Sequence, residues 1–374
     1  MTPCPPIADS DLDAVLRDTA GLWPEASGGR FFITGGTGFF GCWLLETLLH
    51  ANRSLGLGVN VTVLTRDPAR FLAKAPHLAG AQGIRLIAGH MGDMSAVEGP
   101  FDFAVHAASQ NNFDRNLEGA RQLIEVLRRT RVRKLLFTSS GTVYGPQPPE
   151  IDRIGEDSGL APDPTHPESM FGESKRVSEL LFTMAARGPG GFEAKMARCF
   201  AFVGPHLPLD INYAIGNFLR DALGGGPIRI SGDGTPLRSY LYGTDLAVWL
   251  WTMLFRAPPF QALNVGSEEP FSILEVARTV RDMVAPGAEV LVAQASAAGP
   301  RPARYVPSTL RARTNLGLKA TVGLADAIAR TAKWHRARLK AGPTTSAFPW
   351  QSPPWPCGQG SPGGALGPGR SRAG

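Results

Sequence analysis

The chain has 374 residues, 43% of them hydrophobic and 19% charged. That composition excludes a wholly disordered, collagen-like or coiled-coil protein, and the longest apolar run, Leu246 to Phe255, falls short of the roughly 20 residues of a membrane span. The net charge of +6 is uneven: residues 301–340 carry ten Lys/Arg against Asp326 alone and Arg370 and Arg372 follow, so the first 300 residues sum to −5. This distribution reads as a solvated basic helix and tail rather than a nucleic-acid surface. Cys4, Cys42, Cys199 and Cys357 lie far apart with no metal-ligand spacing, and the Pro- and Asp-rich start is unlike a secretory signal. Both point to reduced thiols, no metal site and a cytoplasmic protein.

In chain order, residues 9–23 place Leu12, Val15, Leu16 and Leu22 at near-helical spacing and predict a leading helix. Phe31–Thr34 predicts a short buried strand, followed by a glycine-rich turn and a helix with Trp43, Leu44, Leu45, Leu48 and Leu49. Val59–Leu64, Ile84–Ile87 and Phe101–His106 predict the second to fourth strands. A helix over 117–129 precedes a fifth strand, Lys134–Thr138, and a helix over 174–186 precedes a sixth, Met196–Phe200. The strands are short and continuously apolar, and they alternate with helices. That pattern predicts an α/β fold, a doubly wound parallel sheet of the Rossmann type covered on both faces. After residue 204 glycines break the rhythm. A helix over 244–256 follows, and Ser272 with Glu275 forms a capping-box pattern for a helix to about Met283. Residues 341–374, rich in Gly, Pro and Ser, predict a disordered tail.

Gly35, Gly38 and Gly41 are spaced three apart where the first strand becomes a helix, in Thr34-Gly35-Gly36-Thr37-Gly38-Phe39-Phe40-Gly41. Glycines let backbone N–H groups approach a pyrophosphate, and the helix N-terminus favours its charge. In the strand–turn–helix context this predicts dinucleotide binding.

The same octapeptide resembles the opening motif of the extended short-chain dehydrogenase/reductases, the nucleotide-sugar epimerases and dehydratases. The resemblance covers about residues 28–320. It implies NAD(P) held by residues 28–203 and 241–266, and a nucleotide sugar held by a smaller C-terminal lobe of 204–240 and 267–340, with 1–27 as a helical leader. Gly35, Gly38, Phe39, Phe40 and Gly41 would then line the cofactor. In Val63-Leu64-Thr65-Arg66-Asp67, Thr65 takes the place of the acid that holds a ribose hydroxyl. Arg66 beside it favours NADP, unless Arg66 is merely solvated and Asp67 shifts into the acid role. Asp93 resembles the adenine-contacting aspartate, or is a turn residue. His106-Ala107-Ala108 and Asn116 resemble further cofactor-side positions of the family.

Thr138-Ser139-Ser140-Gly141-Thr142-Val143-Tyr144-Gly145 resembles the family's strand-end motif with Ser140 as its catalytic serine; the alternative is a turn serine. The family's 4,6-dehydratases carry Asp-Glu where Gly141-Thr142 stands here, which argues against dehydration and toward epimerisation or carbonyl reduction. Phe171-Gly172-Glu173-Ser174-Lys175 matches the family's Y-G-x-S-K except at its first place. Lys175 would hold the nicotinamide ribose, whereas Phe171 has no hydroxyl to move a proton. Three readings stay open: a binding protein without catalysis, a slow enzyme relaying the proton through Ser140 or water, or another residue in the tyrosine's place. In the substrate lobe, Asn217, Arg238 and Arg301 resemble the residues that grip the sugar nucleotide, with Arg304 competing for the role of Arg301. The family often dimerises through a four-helix bundle, so a homodimer is a further expectation.

Overall fold

The computed structural model describes residues 2–211, 213–295 and 302–340. The main elements, in chain order, are α1 (Asp9–Asp18), β1 (Arg30–Thr34), α2 (Phe39–Leu55), β2 (Asn60–Thr65), β3 (Ile84–Ala88), β4 (Phe103–His106), α3 (Phe113–Arg129), β5 (Lys134–Ser140), α4 (Met170–Arg187), β6 (Glu193–Cys199), α5 (Ala214–Leu223), α6 (Gly243–Arg256), β7 (Ala262–Val265), α7 (Ile273–Val284) and α8 (Leu324–Lys340). The seven strands form one sheet in the order β7-β6-β5-β4-β1-β2-β3, and every pair is parallel.

Successive strand side chains point to opposite faces, and both faces are buried. Phe31 and Ile33 of β1, Val105 of β4 and Leu136 of β5 pack with Trp43 and Leu48 of α2 and Trp251 and Leu254 of α6. Phe32, Ala104, Leu135 and Phe137 face the other way, onto Leu123 and Leu127 of α3 and Phe182 of α4. This two-sided cover explains the unbroken apolar strands. The winding reverses between β1 and β4, so the C-terminal ends of these neighbours open a crevice.

The leading segment differs from expectation. It is two helices, α1 and a single turn at Trp23–Ala26. Thr19 Oγ1 bonds the carbonyl of Val15 and accepts from Trp23 Nε1, which ends α1 and folds the chain back. Pro24 suits the first turn of the second helix. The pair is tied to the body by Tyr242 Oη to Asp11 at 2.6 Å and Arg330 to Asp11 at 2.7 Å.

Beyond residue 204 the chain adds α5, α7 and α8 with short strands. Leu237–Arg238 lies between Phe271–Ser272 and Arg304–Tyr305 in a three-stranded sheet. The capping box of α7 is present as the sequence implies. The expected disordered tail, 341–374, lies outside the described residues.

Candidate active site

The glycines of the first turn are not equivalent. Gly35 has φ +73°, and a Cβ there would lie 2.4 Å from the backbone of Ala107 and Ala108. A Cβ on Gly41 would lie 2.3 Å from the carbonyl oxygen of Gly35. Both are therefore required by the chain's own packing. Gly38 is exposed, has φ −87° as the N-cap of α2, and would place a Cβ near nothing but the Gly35 oxygen at 3.4 Å. No protein contact demands glycine there. Its bareness leaves the first N–H groups of α2 open to an anion, and Lys74 Nζ, 2.7 Å from the Thr37 carbonyl, brings a cation to the same turn. These residues fit the pyrophosphate of a dinucleotide. Phe39 and Phe40 are half-buried, with Phe40 edge-on to Phe202 at 4.9 Å.

At the rim, Thr65 is buried and Arg66 is exposed, with no ion pair among the described residues. Asp67 caps the next helix by accepting from the Arg70 N–H at 2.8 Å. Asp93 is exposed, and its Oδ1 accepts from the Ser95 N–H and hydroxyl, which hold its carboxyl below the usual range. His106 is sequestered: its Nδ1 lies 2.6 Å from Thr34 Oγ1 across the β1–β4 pair, and its ring stacks on Phe137. Burial, aided by the Lys175 charge, pushes its pKa down to about 3, so the imidazole is neutral. Ala107 and Ala108 follow it against Gly35. Asn116 spends its amide inside the chain. It accepts from the Gln110 N–H and donates to the Gln110 carbonyl and to Ser174 Oγ, bracing the loop after β4 against α4.

Ser140 ends β5. Its Oγ accepts from the Thr142 N–H at 3.2 Å and Thr142 Oγ1 at 2.9 Å. α4 sits directly on this turn, because a Cβ on Gly172 would lie 2.4 Å from the Thr142 carbonyl oxygen. Phe171 and Lys175 are four apart in α4 and so share a face. Lys175 Nζ donates to the Thr138 carbonyl at 2.9 Å and lies 4.8 Å from the Phe137 ring centroid. Burial lowers its pKa to about 8, against the opposing pull of Cys199 and Glu179. Behind it, Glu179 takes two bonds from Arg198 and one from Ser139 Oγ. Arg198 also donates to Tyr144 Oη, which donates to Asn264 Oδ1. Tyr144, Arg198 and Asn264 thus form a brace beneath the Ser140 turn.

The substrate lobe brings Arg238 and Tyr305 to this turn. They are register partners on adjacent strands, with the guanidinium 5.9 Å from the ring centroid. Arg238 is half-buried and has no ion pair among the described residues, and burial lowers its pKa. Arg304 instead pairs with Asp152 at 2.9 Å. Asn217 lies within the first turn of α5, which begins at Ala214. Its side-chain amide faces the carbonyls of Ile211 and Leu209. Arg301 lies outside the described residues. Sequence reasoning missed Tyr305 as a site residue: its hydroxyl lies 2.7 Å from where a Cβ on Gly141, next to Ser140, would sit, and it follows a stretch with no periodicity.

Residues 31–266 match the NAD dependent epimerase/dehydratase family. The chain belongs to that family. A member of similar sequence is UDP-glucuronic acid decarboxylase 1 of Xenopus tropicalis, 26% identical over 87% of this chain and 76% of that protein. Another is the dTDP-glucose 4,6-dehydratase of Streptomyces niveus, 24% identical over 82% and 93%. The fold is shared with the Bacillus anthracis dTDP-glucose 4,6-dehydratase in complex with NAD, at TM-score 0.69, 18% identity and coverage of 84% and 98%. It is shared equally with the Thermotoga maritima UDP-glucose 4-epimerase with UDP-glucose, at TM-score 0.69, 18% identity and coverage of 83% and 99%. Among the described residues, no helix is long and apolar enough to cross a membrane. Nor do any three His, Cys, Asp or Glu side chains there form a group that could hold a metal ion.

Proposed function

We propose that this family member is an NAD(P)-dependent epimerase or ketoreductase of a nucleotide sugar, working with phenylalanine where the family's tyrosine stands. Residues 28–203 and 241–266 hold the dinucleotide, and 204–240 and 267–340 hold the sugar nucleotide. The observation that carries this reading is Arg238. A half-buried guanidinium without a carboxylate partner is costly, and its planar fork of donors fits the paired oxygens of a negatively charged diphosphate. It sits beside Tyr305, whose hydroxyl lies against Gly141 next to Ser140, so an anion gripped there delivers its sugar to the serine.

A bound nicotinamide dinucleotide supplies the hydride acceptor or donor. Gly35, Gly38 and Gly41 with the start of α2 take its pyrophosphate, and Lys175 holds its ribose. Ser140 hydrogen-bonds the sugar oxygen that gains or loses a proton. Dehydration lacks its groups here: Gly141 has no side chain, and the Thr142 hydroxyl is bound to Ser140. Exposed Arg66 favours NADP through its 2′-phosphate. Exposed Leu180 and Met184, one turn apart on α4, suit a homodimer, and the free, buried Cys4, Cys42 and Cys199 suit a cytoplasmic setting.

Arg238→Ala tests the reading by calorimetry with UDP-glucose, UDP-glucuronic acid and dTDP-glucose. The expected result is at least a tenfold loss of affinity for whichever binds, with dinucleotide affinity unchanged. Equal sugar-nucleotide affinity in the variant overturns it. A second reading, a binding protein without turnover, rests on Phe171. It would show as tight binding of both ligands with no hydride transfer in the native protein.

A further inference from the structure

Position 171 offers no proton, yet the turn it faces is not without a phenol. Tyr305 enters from the three-stranded sheet and sets its hydroxyl against Gly141, the residue after Ser140. The space it uses is that of a missing side chain: a Cβ on Gly141 would lie 2.7 Å from the Tyr305 hydroxyl and 2.8 Å from the Phe200 ring. Phe200 in turn packs on the Tyr305 ring at 4.7 Å between centroids. Glycine at 141 and tyrosine at 305 are therefore one arrangement, and an acid at 141 would exclude it.

Ser140 Oγ has two acceptor sites, and both serve Thr142. With Ser140 engaged by Thr142, the phenol beside it, set against Gly141, is the group at this turn that can hand a proton to substrate. Arg238, beside the ring, is placed to offset the charge that forms when that proton leaves.

We propose that Tyr305, and not a residue of α4, is the proton-transfer residue of this site. This rests on the nucleotide-sugar reading above. In the reductive direction the sugar's carbonyl carbon gains a hydride from a reduced nicotinamide dinucleotide, and the carbonyl π pair moves onto oxygen. That oxygen takes the phenolic proton of Tyr305. The phenolate is offset by the Arg238 charge beside its ring until solvent reprotonates it. In the oxidative direction each transfer reverses.

The test compares the native protein with Tyr305→Phe, Phe171→Tyr and the double variant. Calorimetry with UDP-glucose, UDP-glucuronic acid and dTDP-glucose gives binding, and nicotinamide absorbance with the oxidised dinucleotide gives the half-reaction. Tyr305→Phe should keep sugar-nucleotide affinity within about threefold and slow hydride transfer by about 10²-fold or more. The double variant should recover at least the native rate, since a phenol at 171 bypasses the one lost, and this also shows that the fold is intact. A separate readout needs no turnover. Of the five tyrosines, the ring-carbon resonance that disappears in Tyr305→Phe should shift in Ser140→Ala. Native-like hydride transfer by Tyr305→Phe, or a Tyr305 resonance indifferent to Ser140→Ala, overturns the proposal and leaves the substrate reading standing. Failure of every sugar nucleotide to bind the native protein overturns both.

Discussion

Phe171 and Lys175 face each other across one turn of α4, with the ammonium 5.8 Å from the ring centroid. A tyrosine at 171 would place its phenol beside this cation, where its pKa would fall. Tyr305 has no lysine beside it, and burial raises its pKa. The two positions therefore differ in acid strength as well as in origin.

Phe171→Tyr adds one oxygen to a half-buried ring and leaves the Lys175 contact in place. It should raise the half-reaction rate by about 10²-fold, the lower end of what a positioned acid–base group supplies. The measurement is nicotinamide absorbance under single turnover. An unchanged rate would show that the proton never passes position 171.

Gly35 and Gly38 should respond in opposite ways. Gly35→Ala forces a Cβ into the backbone of Ala107 and a side chain into positive φ, so it should unfold the turn and lower thermal stability sharply. Gly38→Ala meets only ordinary contact and costs at most about 1 kcal/mol as a poorer N-cap. It should nonetheless weaken dinucleotide binding at least tenfold, as read by cofactor fluorescence titration. A Gly38→Ala protein with native affinity would remove the phosphate-turn assignment.

Lys175 predicts a pH dependence. An ordinary lysine keeps its proton to about pH 10.4, whereas this one releases it near 8 because it is buried. Dinucleotide affinity should fall as pH rises through about 8 and should be flat in Lys175→Met. Stability moves the other way. Between about pH 8 and pH 10.4 the unfolded chain binds more protons than the folded one, so this group's contribution to stability rises with pH. Lys175→Met should lose that slope and be at least as stable as the native protein at neutral pH, as urea unfolding would show.

The sheet was legible because its strands carry short apolar runs bounded by turns. The start of β6 was not. Lys195 is fully buried in it, its Nζ bonded to Glu193 and to the Ala257 carbonyl, so the strand begins at Glu193 rather than Met196. The phosphate turn and the Ser140–Lys175 pair could be read because each is a compact motif whose residues lie within a strand end or a helical turn. Tyr305 could not. Its strand has two residues and no period, and the Ser140–Gly141 turn it meets lies at the end of another sheet, far away in sequence. Asn116 and His106 matched motif positions, yet their polar atoms are bonded within the chain, a distinction spacing does not encode.

The brace beneath the site makes the last prediction. Glu179 and Arg198 are mostly buried, with 12% and 19% of their side chains exposed, and form a two-pronged pair. Glu179→Ala leaves the guanidinium without its partner and frees Ser139 Oγ. It should lower the unfolding free energy by about 3 kcal/mol, the scale of breaking such a pair. Removing both charges, as Glu179→Met with Arg198→Met, should recover more than half of that loss, because apolar side chains of similar volume carry no unpaired charge. Recovery should stop short of complete, since Tyr144 loses the Arg198 bond and Ser139 its acceptor. Urea unfolding of Glu179→Met, Arg198→Met and the double variant measures the coupling directly. If the single variants lose little and the double adds nothing, the pair is a bystander, and the Ser140 turn is held by Gly172 packing on Thr142 instead.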